Sequence, residues 1–163
     1  MKAMLTHRKT AVVLACVAQL ALVGVAMGDR LSARFTGEEY LLEVAPLDPI
    51  DPFRGAYVTL DYPGIPNGED RRLEVDDLYV PLVLKGDVWV GTTITEERPD
   101  DGPYLSCNGR DWRLRCGIES YFASEEKAFA IEREIRQGTA VARVRIDDRG
   151  NAVVVAVEGR DAS

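Results

Sequence analysis

Apolar residues along the chain fall into two regimes. From Thr10 to Met27 they run almost unbroken: 18 positions carry no formal charge, and only Thr10 and Gln19 are strongly polar. As a helix rising 1.5 Å per residue such a run reaches about 27 Å, close to the roughly 30 Å hydrocarbon thickness of a bilayer. It predicts a transmembrane helix over 10–27. Lys2, Arg8 and Lys9 precede it without an acidic residue, and a positive flank stays on the cytoplasmic side. The reading is a cytoplasmic N-terminus at 1–9, a signal-anchor helix at 10–27 and an exported domain at 28–163. The alternative is a cleaved signal peptide, for which Gly24-Val25-Ala26 or Ala26-Met27-Gly28 is a weak small-residue site. Cys16 follows Val13-Leu14-Ala15, but the apolar run continues past it, so a small apolar residue on a membrane helix is preferred to a lipidation site.

After Gly28 the pattern changes to short alternating runs separated by turn residues, as antiparallel strands require. Glu39–Ala45 predicts a first strand, after which Pro46, Pro49 and Pro52 enforce an extended connection. Gly55–Tyr62 predicts a second, with Tyr57, Thr59 and Asp61 on one face and Val58, Leu60 and Tyr62 on the other. Leu78–Lys85 and Val88–Thr95 flank Gly86-Asp87, a two-residue hairpin signal. Ala140–Asp147 and Ala152–Glu158 flank a turn at 148–151 and predict a second hairpin, with Arg143 and Arg145 on its wet face. Between the hairpins lies one soluble helix. Ser124 is its predicted N-cap, Ala128, Ile131 and Ile135 its apolar stripe, and Gly138 its stop, while Glu132 and Arg136 are spaced to pair on its outer side. The fold class expected is mainly β (α+β): an antiparallel β-sheet or barrel-like domain with one packed helix, behind one membrane helix.

Charge narrows the partners. Of 163 residues, 20 are Lys or Arg and 27 Asp or Glu, a net −7, and removing the three cations ahead of the apolar run leaves −10 on the remainder. Such a surface repels phosphates, so no nucleic-acid partner is expected. The single histidine, His7, precedes the membrane run. The exported domain therefore cannot build a Ser-His-Asp triad, a Cys-His pair or a histidine-ligated zinc centre. No catalytic residue, metal ligand or cofactor site is assigned. A Ser-Lys pair using Lys85 or Lys127 survives as the rival, enzymatic reading. Lys85, however, abuts a surface turn and Lys127 lies in a first helical turn, where lysine is normally solvated.

Cys107 and Cys116 are the disulfide candidates. If Asn108-Gly109 formed a tight hairpin, Cys116 would lie ~20 Å along the strand from its partner and no bond could form. If residues 108–115 bow out as a broad loop, for which Arg110, Asp111, Arg113 and Arg115 are polar enough, a bond becomes a structural staple. Acidic groups at Asp48 and Asp51, Asp76-Asp77 and Asp100-Asp101 lack EF-hand spacing and read as solvated loop charge. Glu125 and Glu132 fall seven apart on one helix face, which suits capping and solvation better than paired acid/base work. Glu119 is placed to reach a helix end or a backbone amide. Tyr57, Tyr62, Tyr121 and Phe122 are candidates for one aromatic cluster, as core or as a groove for a partner.

The segment Gly55-Ala56-Tyr57-Val58-Thr59-Leu60-Asp61-Tyr62, after Asp51-Pro52-Phe53-Arg54, resembles the signature of the GDYXXLXY proteins. Cys116-Gly117-Ile118-Glu119-Ser120-Tyr121-Phe122-Ala123-Ser124-Glu125, with Glu132 following, is similar to that family's second shared block. The chain departs from the pattern at Ala56, where the name-giving Asp would stand, and at Ser124 and Glu126, where Pro and Gly are usual. The resemblance implies a bacterial envelope protein, sometimes accompanied by multi-spanning membrane proteins; with the apolar run and its positive flank, the expectation is a single-pass protein of the bacterial inner membrane with its C-terminal domain periplasmic. It carries over no catalytic assignment. The motif positions Gly55, Tyr57, Leu60, Tyr62, Gly117, Glu119, Tyr121, Phe122, Glu125 and Glu132 are therefore taken as candidate partner contacts. The expected function is that of a membrane-anchored accessory or interaction module, not an enzyme, with an integral membrane protein as partner; the alternative is an envelope hydrolase using a Ser-Lys pair.

Overall fold

The structure, a computed structural model, describes residues 2–46, 57–67, 75–110, 113–138 and 140–159; the side chains of 2–11, Pro46, Tyr57, Glu125, Glu126, Phe129, Glu132 and Arg136 fall outside that description. The Pro49 and Pro52 connection and Gly55 lie outside the described residues.

Helix α1 runs from Lys2 to Thr36. Its segment Val12–Thr36 is long and apolar enough to cross a membrane, and the most apolar stretch touches no other part of the chain. Val12, Leu14, Leu20, Leu22 and Val25 stand well exposed around the helix, as expected of a surface whose solvent is hydrocarbon. The helix does not stop at Met27. It continues for nine residues to Thr36 and closes where Gly37 N–H donates to Ala33 O at 3.0 Å.

The remainder is built from antiparallel strands in three small sheets. In the first, β1 (Glu38–Glu43) and β9 (Ala152–Gly159) flank β8 (Ala140–Ile146). In the second, β2 (Ala45–Pro46) and β7 (Ser120–Phe122) flank β3 (Tyr57–Asp61). In the third, β5 (Val88–Gly91) and β6 (Tyr104–Cys107) flank β4 (Leu78–Lys85). Of the sheet and barrel-like forms expected from the sequence, the described residues adopt the first, as three sheets with no closed barrel. Both predicted hairpins form. Gly86 at φ +69° turns β4 into β5, the left-handed geometry a two-residue hairpin demands.

Helix α2 (Glu125–Arg136) buries Ile131 and Ile135 against the sheets, with Ala128 half-buried beside them. Ser124 holds the extended N-cap backbone, yet its hydroxyl makes no capping bond; its carbonyl accepts the Ala128 N–H instead. The core gathers Leu42, Val58, Leu60, Val80, Leu105 and Val144 from all three sheets, with Ile118 from the turn before β7.

Candidate functional site

The two sequence blocks meet in space. Strand β3, carrying the first, pairs with β7, carrying the second, with Val58 opposite Tyr121 and Tyr57 opposite Phe122. Alternation on β3 turns Val58, Leu60 and Tyr62 inward, where all three are buried. Leu60 N–H donates to Glu119 O at 2.9 Å, and the Tyr62 hydroxyl donates to Ile118 O at 2.9 Å. Burial first, and then the nearby Glu119 carboxylate, push the Tyr62 phenol far above its ordinary value, so this hydroxyl is a fixed donor.

Glu119 is the hinge pin of the second block. Its carboxylate accepts from the Cys116 N–H and from the Gly117 N–H, the latter at 3.1 Å. That clamp fixes the turn entering β7. Cys116 is bonded to Cys107. Between the two cysteines Asn108 and Arg115 pair through N–H to O bonds of 2.7 and 2.9 Å. Asp76 pairs with Arg110.

These placements divide the motif positions taken as candidate partner contacts. Leu60 and Tyr62 are buried and Glu119 is spent on backbone amides, so all three are structural. Three of the four aromatic candidates are divided between two faces. Tyr62 faces the core, Tyr121 packs half-buried at its edge, and Phe122, one strand position on, is 74% exposed on the opposite face. The Tyr57 side chain lies outside the described residues. Gly117 is exposed, whereas the Glu125 and Glu132 side chains and Gly55 lie outside the described residues. Tyr40 packs against Trp89 and Tyr79 against Tyr104, both edge-on at 5.1 and 5.7 Å between centroids.

Lys85 and Lys127 are both exposed, and Lys127 Nζ lies 3.4 Å from the Tyr121 hydroxyl. A lysine acting as a base needs burial to shed its proton, which neither position supplies. Among the described residues, no group of three or more His, Cys, Asp or Glu side chains is arranged to hold a metal.

A feature that the sequence pattern did not single out fastens α1 to the domain. Ala33 is fully buried, and Asp147, at the end of β8, receives a hydrogen bond from Ser32. Asp147 also accepts from the N–H groups of Arg149 and Asn151, each at 2.9 Å, and from Asn151 Nδ2 at 3.0 Å. Arg145 donates to Arg34 O, and Arg149 lies 3.8 Å from Asp29. The one signal for this node was Asp147-Asp148-Arg149-Gly150-Asn151, an Asx-turn composition that does not show which aspartate turns inward.

Removal of the disulfide has a calculable effect. Closing a nine-residue separation withdraws loop entropy from the unfolded chain worth about 2.6 kcal/mol. Cys107→Ser with Cys116→Ser in the full chain, held in detergent micelles, is expected to lower unfolding free energy by about 2–3 kcal/mol in urea titrations followed by tryptophan fluorescence. A loss under about 0.5 kcal/mol would show that the Asn108–Arg115 pair holds the loop unaided.

No curated protein and no solved structure matches the chain. The family model for GDYXXLXY proteins matches residues 19–157, taking in the second half of the apolar run, both paired blocks and most of the closing hairpin. With that match over most of its length, the chain belongs to the GDYXXLXY protein family.

Proposed function

We propose that the chain is a single-pass protein of the bacterial inner membrane whose domain stands in the periplasm and acts as a contact module for an integral membrane protein. The observation that carries this reading is the continuity of α1 from its apolar, uncovered stretch into a docked end against β8 and β9. A flexible linker would let the domain sample many orientations. A helix fastened by Ser32, Ala33 and Arg34 gives it one, so both its concentration at the bilayer and its presented face are fixed. The positive flank at Lys2, Arg8 and Lys9 sets the direction of insertion.

The contact face assigned is the outer side of the β2-β3-β7 sheet. Phe122 is 74% exposed there, and an exposed aromatic on a short, ordered strand is a suitable anchor for a partner. Inward residues of the same strands, Leu60 and Tyr62, hold it in place. The test is site-specific photo-crosslinking in intact cells, with a photoreactive residue at position 122 and a second at exposed Leu84 on the β4–β5 hairpin. Position 122 is expected to capture one integral membrane protein reproducibly, and position 84 not. Identical capture from both positions, or none from 122, overturns the assignment of this face.

A further inference from the structure

We propose that two copies of the chain pair in the membrane through α1, with Gln19 of each hydrogen-bonded to Gln19 of the other. Such pairing rests on α1 spanning the bilayer. Nine residues of the uncharged run Thr10–Met27 precede Gln19 and eight follow it, so either end of the run is about 12–14 Å away along the helix. The carboxamide therefore sits at the middle of the hydrocarbon. Gln19 is exposed, and no other part of the chain covers that stretch of α1. Its N–H donors and carbonyl acceptor face lipid tails, which offer none of the hydrogen bonds that water gives. Glutamine has too short a stem to carry its amide to the polar layer, as lysine or arginine does near a helix end. The backbone around it is already bonded within α1. A partner for the amide comes from a second membrane helix.

A second copy supplies that group at the right depth. Lys2, Arg8 and Lys9 give every copy the same direction of insertion, so the two helices run parallel and their glutamines lie level. A carboxamide both donates and accepts, and two of them at one depth satisfy each other across a two-fold axis. Neighbours on that side suit a close approach. Ala15 stands four residues before Gln19, Cys16 three before and Ala26 seven after, spacings that share one helix face, and all three are small. The domain leaves room for the second helix. Asp29, Ser32 and Ala33 mark the docked side of α1, whose centre, at about 100° per residue, falls about a quarter turn round the helix from Gln19. The two domains then flank the pair of helices and do not roof it.

The test places the full chain in phosphatidylcholine vesicles and reads pairing by Förster transfer between donor- and acceptor-labelled copies. Gln19→Leu is expected to weaken pairing about fivefold or more, whereas Gln19→Asn, which keeps the carboxamide, is expected to stay within about twofold of wild type. Cysteine scanning in a Cys16→Ser background locates the face, since Cys107 and Cys116 are bonded to each other and take no part. Oxidation is expected to cross-link copies carrying Ala15→Cys or Ala26→Cys. Copies carrying Val17→Cys, Ala21→Cys or Gly24→Cys, on the far side of the helix, are expected to stay apart. Absence of transfer in wild type, unchanged pairing in Gln19→Leu, or cross-links confined to the far side overturns the proposal. Capture of a membrane protein from position 122 by chains that do not pair would remove this inference alone and leave the contact-module reading standing. Release of the chain from membranes by alkaline carbonate would instead remove the membrane-spanning reading, and the pairing with it.

Discussion

Gly150→Val is expected to lower unfolding free energy by about 4 kcal/mol or more, the largest effect of any single substitution considered. Gly150 sits at φ +79° in the turn between β8 and β9, a region that costs a β-branched residue roughly 1–3 kcal/mol. Space is lacking as well as conformational freedom. A Cβ there would lie 2.5 and 2.7 Å from ring carbons of Tyr104 and 2.9 Å from Ser106 N. The ring cannot swing aside cheaply. Its hydroxyl donates to Asp148 O at 3.0 Å, Tyr79 packs edge-on against it, and the Arg98 guanidinium stands 5.5 Å from its centroid. The backbone cannot retreat either, because Ser106 N–H donates to Gly150 O at 2.8 Å. Overpacking of this kind adds about 1–3 kcal/mol, and valine's methyls extend the clash. Urea unfolding of the full chain in micelles measures the change. A loss below about 1 kcal/mol would mean that the β6 strand and the turn shift together without resistance.

What the sequence made legible was the local pattern. Period-2 alternation placed Val58, Leu60 and Tyr62 on one face before any partner strand was known, and the structure buries all three. Gly86-Asp87 and the 148–151 turn marked both hairpins, because a two- or four-residue connection leaves adjacent strands little choice of partner. The helix stripe at Ile131 and Ile135 was equally local. Pairing of β3 with β7 was not legible, since Leu60 meets Glu119 across almost sixty residues and nothing in either block encodes the other's register. The aromatic residues misled for a related reason: Tyr121 and Phe122 are neighbours in sequence, so a strand must send them to opposite faces.

The end of α1 is not legible in the sequence, on a different physical ground. Hydropathy falls at Asp29 and Arg30, which marks where hydrocarbon ends, but a helix persists wherever its next turns find something to pack on. Here Ala33 and Ser32 find the β8–β9 hairpin. The extension is therefore a tertiary effect, invisible to a window that scores the segment against lipid alone.

Asp147→Ala is expected to cost about 3 kcal/mol at neutral pH and to loosen α1 from the sheet. The side chain of Asp147 is wholly buried. Burial alone would raise its carboxyl pKa, but the hydrogen bonds from Ser32, Asn151 and the two backbone amides outweigh it, and the net shift is downward from 3.8. Truncation strands those donors at once, at about 1–3 kcal/mol for each one left unsatisfied, with water recovering part where Asp148 and Arg149 reach the surface. A carboxylate whose folded pKa is depressed stabilises the fold fully above its unfolded value. That contribution fades as pH falls through the lower, folded one. Wild type should accordingly lose this stability below about pH 3.8, and the gap between it and Asp147→Ala should close there. The flanking pair of Asp29 and Arg149 is mostly exposed and adds little, so it cannot substitute for the buried node. Limited trypsinolysis separates local loosening from global loss: cleavage after Arg30 or Arg34 is expected to accelerate in Asp147→Ala by far more than cleavage after Lys85 in the distant hairpin. Equal acceleration at all three would mean that the carboxylate stabilises the domain at large and that the mount of α1 depends on Ala33 packing instead.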